Sequence, residues 1–522
     1  MTKAELTTAQ PGSTLRRPIQ PIASSQEEWM NKRPLAIMAI AIAIAFAGCD
    51  RGMTAPEPSR APTGHGPHLD GPRPSGNSAS DGTPSSTLFP LALSEDRRNL
   101  VDTQGQPFLI QADSAWSLVA ELSDDDTIRY LDDRARRGFD AILISVPEPA
   151  FTHHSPPWAN AAGEEPFADV NDWTTENEAY FAHVDWVLRE LDRRGMLALV
   201  APAYLGYDCS PEGWCTQMFA NGVERLQEYG RYIGARYRDF PNIMWVQGGD
   251  LTPSTSGEPS QMDLVNAVAN GIAEGDDGLH YHAAHWSRGT SGADLPGLTW
   301  LDIDTTYATF EEPVYEQMLA DYARDEGVMP LLLLEASYEN EHDTSMLRLR
   351  SQMYQAVLSG GCGFVFGNFP IWRFWDPGDP GSTVEDGAFP GGWATALGSP
   401  GSESSRIAGE FFRSLPWQDL QPDLDHEIVT AGAGTIGDET YALAAGTRDH
   451  ATVIIYFTGQ RTVTIDMGAF PGPTRARFFD PALGSFTDLH ESPFPNSGVR
   501  EISPPEKNGD GSPDWLLILE AA

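Results

Sequence analysis

Short apolar runs alternate with segments of helical period through most of this chain, and that alternation limits its fold more than any other feature. The runs are Phe108–Ile110, Ala141–Val146, Met196–Ala201, Ile243–Val246, Leu279–Ala283, Thr299–Thr306, Leu331–Leu334 and Gly363–Phe366. Between them lie stripes at helical spacing: Ile128, Leu131 and Ala135; Phe181, Val184, Leu188 and Leu191; Leu226, Ile233 and Tyr237; Met346, Leu349, Met353 and Val357. Two of these segments end in Arg-Gly, at Gly138 and Gly195, just before the next run. Glycine supplies a left-handed helix cap there. Strand, helix, glycine, strand is the pattern of parallel βα units. Eight such runs predict an α/β fold, a closed (β/α)8 TIM barrel over residues 89–425. From residue 426 to 522 the helical period disappears. Strand-like runs at Tyr441–Ala445, Thr452–Phe457, Thr462–Ile465, Ala476–Phe479 and Trp515–Leu519 predict a small all-β sandwich domain.

The amino-terminal region reads as an address followed by a tether. Lys32 and Arg33 precede the apolar run from Leu35 to Ala47, which is too short for a membrane-spanning helix of about 20 residues. Its length and basic flank fit a signal peptide over residues 1–49, with Met30 an alternative start. The run ends Phe46-Ala-Gly-Cys49, a lipoprotein-type signal with Cys49 as the lipidated residue. The expected location is therefore the cell envelope or the exterior, with membrane contact only through a lipid anchor. Residues 50–88 are rich in Pro, Gly and Ser, and read as a flexible linker. An exported chain sees an oxidising compartment, so Cys209 and Cys215, which flank a short loop, are a candidate disulfide. Cys362 lies in an apolar stretch and reads as a buried thiol.

Charge narrows the partners. Seventy-four acidic against 34 basic residues give a formal net charge of −40. That excess argues against nucleic acid and against a strongly anionic ligand, unless the site is locally basic. No phosphate loop, dinucleotide fingerprint or nucleophile elbow is present, and no cofactor is expected. Oligomeric state has no signature.

In a parallel barrel, chemistry sits where the strands end. The fourth run ends Gln247-Gly-Gly-Asp250 and the seventh ends Leu334-Glu335. Each places a carboxylate at the mouth, and Gly248 and Gly249 let the backbone turn Asp250 inward. An isolated Asp after a strand is commonly a helix cap. Two carboxylates across one mouth are instead what glycosidic hydrolysis needs, at roughly 5–5.5 Å for retention or 6.5–9.5 Å for inversion. Asp113 and Trp116, after the first run, are candidates for sugar hydroxyl binding and ring stacking; a capping Asp and a core Trp are the alternatives. Tyr307, Tyr338, Glu339 and Trp372 add candidate binding groups near other strand ends, and aromatic faces suit sugar C–H surfaces. His280, His282 and His285 form an H-x-H-x-x-H run. Of these, His282 is the preferred substrate-binding candidate. A metal-dependent hydrolase built on the three histidines is an alternative, and a non-catalytic, surface-anchored carbohydrate-binding protein on a degenerate barrel is another.

Asp113-Ser-Ala-Trp116, Tyr130-Leu-Asp-Asp-Arg-Ala-Arg-Arg-Gly-Phe139, Tyr237-Arg-Asp-Phe-Pro-Asn-Ile-Met-Trp245 with Gly248-Gly249-Asp250, and Glu335-Ala-Ser-Tyr338-Glu339 together resemble the apiosidase-like glycoside hydrolases. Phe478-Phe-Asp-Pro-Ala-Leu-Gly484 and Asp514-Trp515 resemble the domain labelled collagen-binding that follows the barrel in that family. The resemblance covers about residues 90 to 520. It implies a retaining hydrolase with Asp250 as acid/base and Glu335 as nucleophile, and hence a carbohydrate substrate; with export, the expected substrate is a plant or microbial polysaccharide. The chain departs from the family pattern at Ala112, Ala336 and the stretch Thr305-Thr-Tyr-Ala308, the last in an expected substrate-binding loop. The sugar and the linkage stay open on that account.

Overall fold

The computed structural model describes residues 87–148, 154, 158–310, 312–377 and 391–521. The expected signal peptide with Cys49, the linker up to residue 86 and His153 lie outside the described residues.

Eight parallel strands form the barrel: β1 (Ile110–Ser114), β2 (Ala141–Ser145), β3 (Leu197–Ala201), β4 (Ile243–Gly248), β5 (His282–His285), β6 (Asp304–Tyr307), β7 (Leu331–Glu335) and β8 (Gly363–Phe366). Neighbours pair in sequence order, and β8 returns to pair with β1. The ring closes between β5 and β6 through one bridge, Ala283 to Ile303, with the His282 carbonyl accepting from the amides of Asp302 and Ile303. Among the described residues, seven helices of nine or more residues surround the strands: α1 (Asp124–Arg136), α2 (Glu178–Arg193), α3 (Cys215–Tyr237), α4 (Gln261–Gly275), α5 (Val314–Tyr322), α6 (Met346–Leu358) and α7 (Pro400–Arg413).

Side-chain alternation explains why the strands read as continuous apolar runs. Ala141 and Leu143 of β2, and Leu197, Leu199 and Ala201 of β3, join one hydrophobic cluster. Ile142, Ile144, Ala198 and Val200 join the other, with the helices. Both faces of a barrel strand are covered, so neither can be polar without a partner. The helix signals also act as read. Ser123 caps α1 by accepting from the Asp126 amide, and three aspartates occupy its first turn, where the helix dipole favours negative charge. Gly138 and Gly195 take φ of +76° and +69° after α1 and α2.

Boundaries differ from the sequence expectation at β1, at β5 and β6, which begin three and five residues later than the expected runs, and at the start of the β domain. The first strand runs from Ile110 to Ser114, past the apolar run, because its polar residues are buried with partners. Gln111 donates to Ser405 and accepts from Arg413, and Asp113 pairs with Arg134. The β domain begins before residue 426, since Leu420–Pro422 pairs with Leu443–Thr447 as the edge of its six-stranded sheet. That sheet and a three-stranded one, both antiparallel, make the C-terminal domain.

The domain is fixed to the barrel by a buried ion pair. Arg350 of α6 is 1% exposed and donates through Nε and Nη2 to Asp514, at 2.8 Å each, and through Nη1 to Asp510 at 2.7 Å. Tyr456 and Asn508 donate to the same Asp514 carboxylate.

Candidate active site

A cleft of about 420 Å³ opens where the barrel strands end. Asp250, Glu335, Trp116, Tyr307, Tyr338 and Trp372 line it, so the structure brings six of the expected residues together.

Asp250 reaches the cleft through an unusual backbone turn. Gly248 and Gly249 have φ of +93° and +128°, and Asp250 itself has φ of +34°. A Cβ on Gly248 would lie 2.4 Å from the Trp286 ring, and one on Gly249 would lie 2.3 Å from the Tyr204 ring. Only glycine fits either place. Asp250, a non-glycine residue in the left-handed region, holds strain that the surrounding structure must offset. Its Oδ1 is buried and meets no donor among the described residues. Burial pushes its carboxyl up to about 7, and the nearby Glu335 charge pushes the same way, against the opposing pull of His285 and Arg288.

Glu335 ends β7, directly across from Tyr307 in the β6–β7 register. Its Oε2 lies 2.6 Å from His285 Nε2, a contact the ring N–H does not meet head-on. The other ring nitrogen, Nδ1, accepts the Asp250 backbone N–H at 3.2 Å. Because Nδ1 accepts, a neutral His285 carries its proton on Nε2, towards Glu335. One imidazole therefore touches both segments that bear the carboxylates. It is wedged among aromatic rings: Trp116 stacks on it at 5.6 Å, Tyr307 packs at 5.2 Å and Tyr204 at 6.3 Å. Burial holds the Tyr204 and Tyr307 phenols well above their usual range, and the charges of Asp250 and Glu335 add to it. Both remain neutral hydrogen-bond donors.

The remaining floor is tied to β1. Trp116 Nε1 donates to the Tyr338 hydroxyl at 3.1 Å, which donates to Ser114 Oγ at 3.0 Å. At the rim, Trp372 Nε1 donates to Glu341 at 2.6 Å, and the Phe310 ring lies against the Arg288 guanidinium (4.3 Å) and the His342 ring (4.7 Å).

Three expected binding residues lie away from the cleft. Asp113 is fully buried towards α1, where Tyr130 donates to it at 2.7 Å and Arg134 pairs with it at 3.2 Å. Burial raises its carboxyl to about 6. Glu339 caps α7: Gly401 N, Ser399 Oγ and Asn368 Nδ2 all donate to its carboxylate. The helix N-terminus satisfies that charge, leaving none for a ligand. His282 packs beside Trp300 and Gln247, and burial lowers its imidazole to about 4. In place of His282, the histidine of that run that contacts the cleft's carboxylate segments is His285, itself buried behind them.

The three histidines also go to different partners. His280 pairs with Asp276 and the Phe240 carbonyl, His282 with Gln247, and His285 with the two catalytic candidates. Among the described residues no group of three or more His, Cys, Asp or Glu side chains could hold a metal ion. A disulfide joins Cys209 to Cys215 and closes the loop that carries Glu212 to the cleft. Cys362 is buried and free.

Sequence reasoning missed Glu148, Tyr204 and Arg288, all of which line the cleft. Each follows a strand within three residues of its end, after β2, β3 and β5 respectively. The rule that located the carboxylates applies equally to them.

Comparison with known proteins agrees with this architecture. A family model described as the apiosidase-like catalytic domain matches residues 94–419, and one described as the putative collagen-binding domain of a collagenase matches 425–520. A glycoside hydrolase family 5 structure from Bacteroides vulgatus superposes with a TM-score of 0.70 at 21% identity, covering 83% of this chain and 93% of that one. A second structure, described as a glycoside hydrolase, does so with a TM-score of 0.70 at 22% identity, covering 83% and 97%. Curated protein sequences give no match. At such identities the superpositions establish the shared fold, whereas the first family model spans well over half of the chain. The chain belongs to the apiosidase-like catalytic-domain family.

Proposed function

We propose that the protein is a glycoside hydrolase that cleaves a sugar linkage with retention of configuration. The observation that carries this reading is the pair Asp250 and Glu335 in one cleft, with Asp250 pushed up to about 7 by burial and by the Glu335 charge. A carboxyl that its surroundings hold protonated is suited to the proton-donating role beside a second acid. Asp250 holds a proton near neutrality and donates it to the leaving glycosidic oxygen. Glu335, beside the His285 N–H, attacks the anomeric carbon as a carboxylate. Water then hydrolyses the glycosyl ester while Asp250 takes back a proton. Trp116 and the neutral phenols of Tyr204 and Tyr307 offer a stacking face and donors to the sugar held between the acids.

The expected site of action is the cell envelope, through lipidation of Cys49. Radiolabelled palmitate incorporated by the wild-type chain and absent from Cys49→Ala is the expected outcome; equal labelling removes the anchor from the account.

Turnover is tested with a panel of aryl glycosides, following the first-formed product by proton NMR. Release of a sugar with the substrate's anomeric configuration supports the reading. Release of the opposite anomer contradicts retention. Sugar binding without turnover across the panel supports a non-catalytic binding protein instead.

A further inference from the structure

A second cavity, of about 490 Å³, lies at the junction of the barrel and the C-terminal domain. Phe310 lines both this cavity and the catalytic cleft. On one side stand Ser345 and Leu347, at the start of α6; on the other stand Thr440, Gln460 and Pro513 of the C-terminal domain.

Both walls are held in place. Arg348 of α6 donates from Nη2 to the carbonyls of Thr309 and Glu312, at 2.7 and 2.5 Å, which pins the loop bearing Phe310. On the opposite wall, the Tyr315 hydroxyl accepts from the Gly437 amide at 2.7 Å and donates to the Asp438 carbonyl at 3.0 Å. The Tyr315 ring stacks on Tyr441 at 5.0 Å. The segment bearing Thr440 is therefore clamped to α5 at both ends. The buried Arg350–Asp514 pair fixes the domain behind it.

We propose that this cavity is an additional sugar-binding subsite, continuous with the catalytic cleft past Phe310, and that the substrate is an extended neutral glycan reaching the C-terminal domain. The inference rests on the glycosidase reading above and extends it to substrate length and class. Its chemistry is that of carbohydrate recognition: apolar plates from Phe310, Leu347 and Pro513, with Ser345, Thr440 and Gln460 between them. Ser345 Oγ accepts from the Arg348 amide, Thr440 Oγ1 accepts from Arg461 and Gln460 Nε2 donates to the Pro505 and Glu506 carbonyls, which leaves two hydroxyl protons and the Gln460 amide oxygen for a sugar. The one basic side chain of the lining, Arg348, already serves two carbonyls, and Glu439 adds a negative charge. A net charge of −40 on the chain further disfavours an anionic polymer there.

The test measures binding of neutral hexasaccharides and disaccharides of β-1,4-xylan, β-1,4-mannan and α-1,5-arabinan to full-length Glu335→Gln by calorimetry. At least one hexasaccharide is expected to bind about tenfold tighter than its disaccharide. Thr440→Trp, which fills the cavity from an exposed position, and Gln460→Ala, which removes the amide oxygen together with the bonds from Nε2 to the Pro505 and Glu506 carbonyls, are each expected to reduce that length preference; circular dichroism checks their fold. Equal affinity of long and short chains, no binding of any hexasaccharide, or a length preference untouched by both substitutions overturns the subsite. Preference for a hexagalacturonide over every neutral chain overturns its neutral character. Turnover of aryl glycosides without length preference overturns the subsite alone. A Thr440-dependent length preference in a wild-type protein that hydrolyses no glycoside overturns the hydrolase reading alone.

Discussion

His285 Nε2 lies 2.6 Å from Glu335 Oε2, while its Nδ1 accepts the backbone N–H of Asp250. The imidazole thus lies against one carboxylate and accepts from the backbone of the other. His285→Ala is expected to lower kcat by roughly 10- to 100-fold with a much smaller change in KM, because the contact acts on the reacting carboxylate. His285→Gln, which keeps a donor, recovers part of the loss. Steady-state kinetics on an aryl glycoside decides; an unchanged kcat, or a change confined to KM, removes His285 from the positioning role.

Asp250 sets the alkaline limb of the activity profile. Its carboxyl is raised to about 7, so the proton needed by the leaving group is lost as pH rises through that value. kcat/KM is expected to fall tenfold per pH unit on that limb. A flat profile up to about pH 9 contradicts the assignment.

The same group predicts a stability effect of definite sign. Unfolded, the carboxyl titrates near ~3.9; folded, it titrates near 7. The folded state binds the proton more tightly, so this contribution to stability is fully present below about pH 4 and lost as pH rises through about 7. Asp250→Asn removes the cost of ionising a buried carboxyl. Its melting temperature relative to the wild type is therefore expected to be several degrees more favourable at about pH 8 than at about pH 4. Thermal melts at the two values check this, and a difference of the opposite sign contradicts it.

Gly248→Ala and Gly249→Ala are expected to cost ~2 kcal/mol or more of stability and most of the activity. Each new Cβ meets a ring, of Trp286 or Tyr204, inside contact distance, and each φ is positive. Chemical denaturation and an activity assay read both effects.

Arg350→Ala leaves Asp514 buried without its cation, though still bonded by Tyr456 and Asn508, and is expected to destabilise by ~3–5 kcal/mol. Replacing both residues, as in Arg350→Met with Asp514→Leu, is expected to recover part of that loss. Denaturation of the three variants checks the order.

The barrel was legible because strands covered on both faces are apolar throughout. It was weakest where the chain breaks that rule: β5 reads His-Ala-Ala-His and β6 reads Asp-Thr-Thr-Tyr, with buried His282 Nδ1, Asp304 and Thr306 held by hydrogen bonds. Those partners are distant in sequence, which is why both strand positions were offset. At the site, Asp250 and Glu335 were readable as carboxylates ending strands. Asp113 was misplaced because strand alternation sets it opposite to Ile110 and Ala112, towards Arg134. Glu339 was misplaced because its true partner, the start of α7, lies some 60 residues downstream. The choice between His282 and His285 turned on which one ends its strand.

The central claim is that Glu335 forms a covalent glycosyl intermediate. Its most direct test is incubation with an activated 2-deoxy-2-fluoro glycoside of the sugar identified by turnover, followed by peptide mass spectrometry. The account predicts a stoichiometric glycosyl adduct on Glu335, absent from Glu335→Gln. An adduct on another residue, or full turnover with inverted product and no adduct, contradicts it.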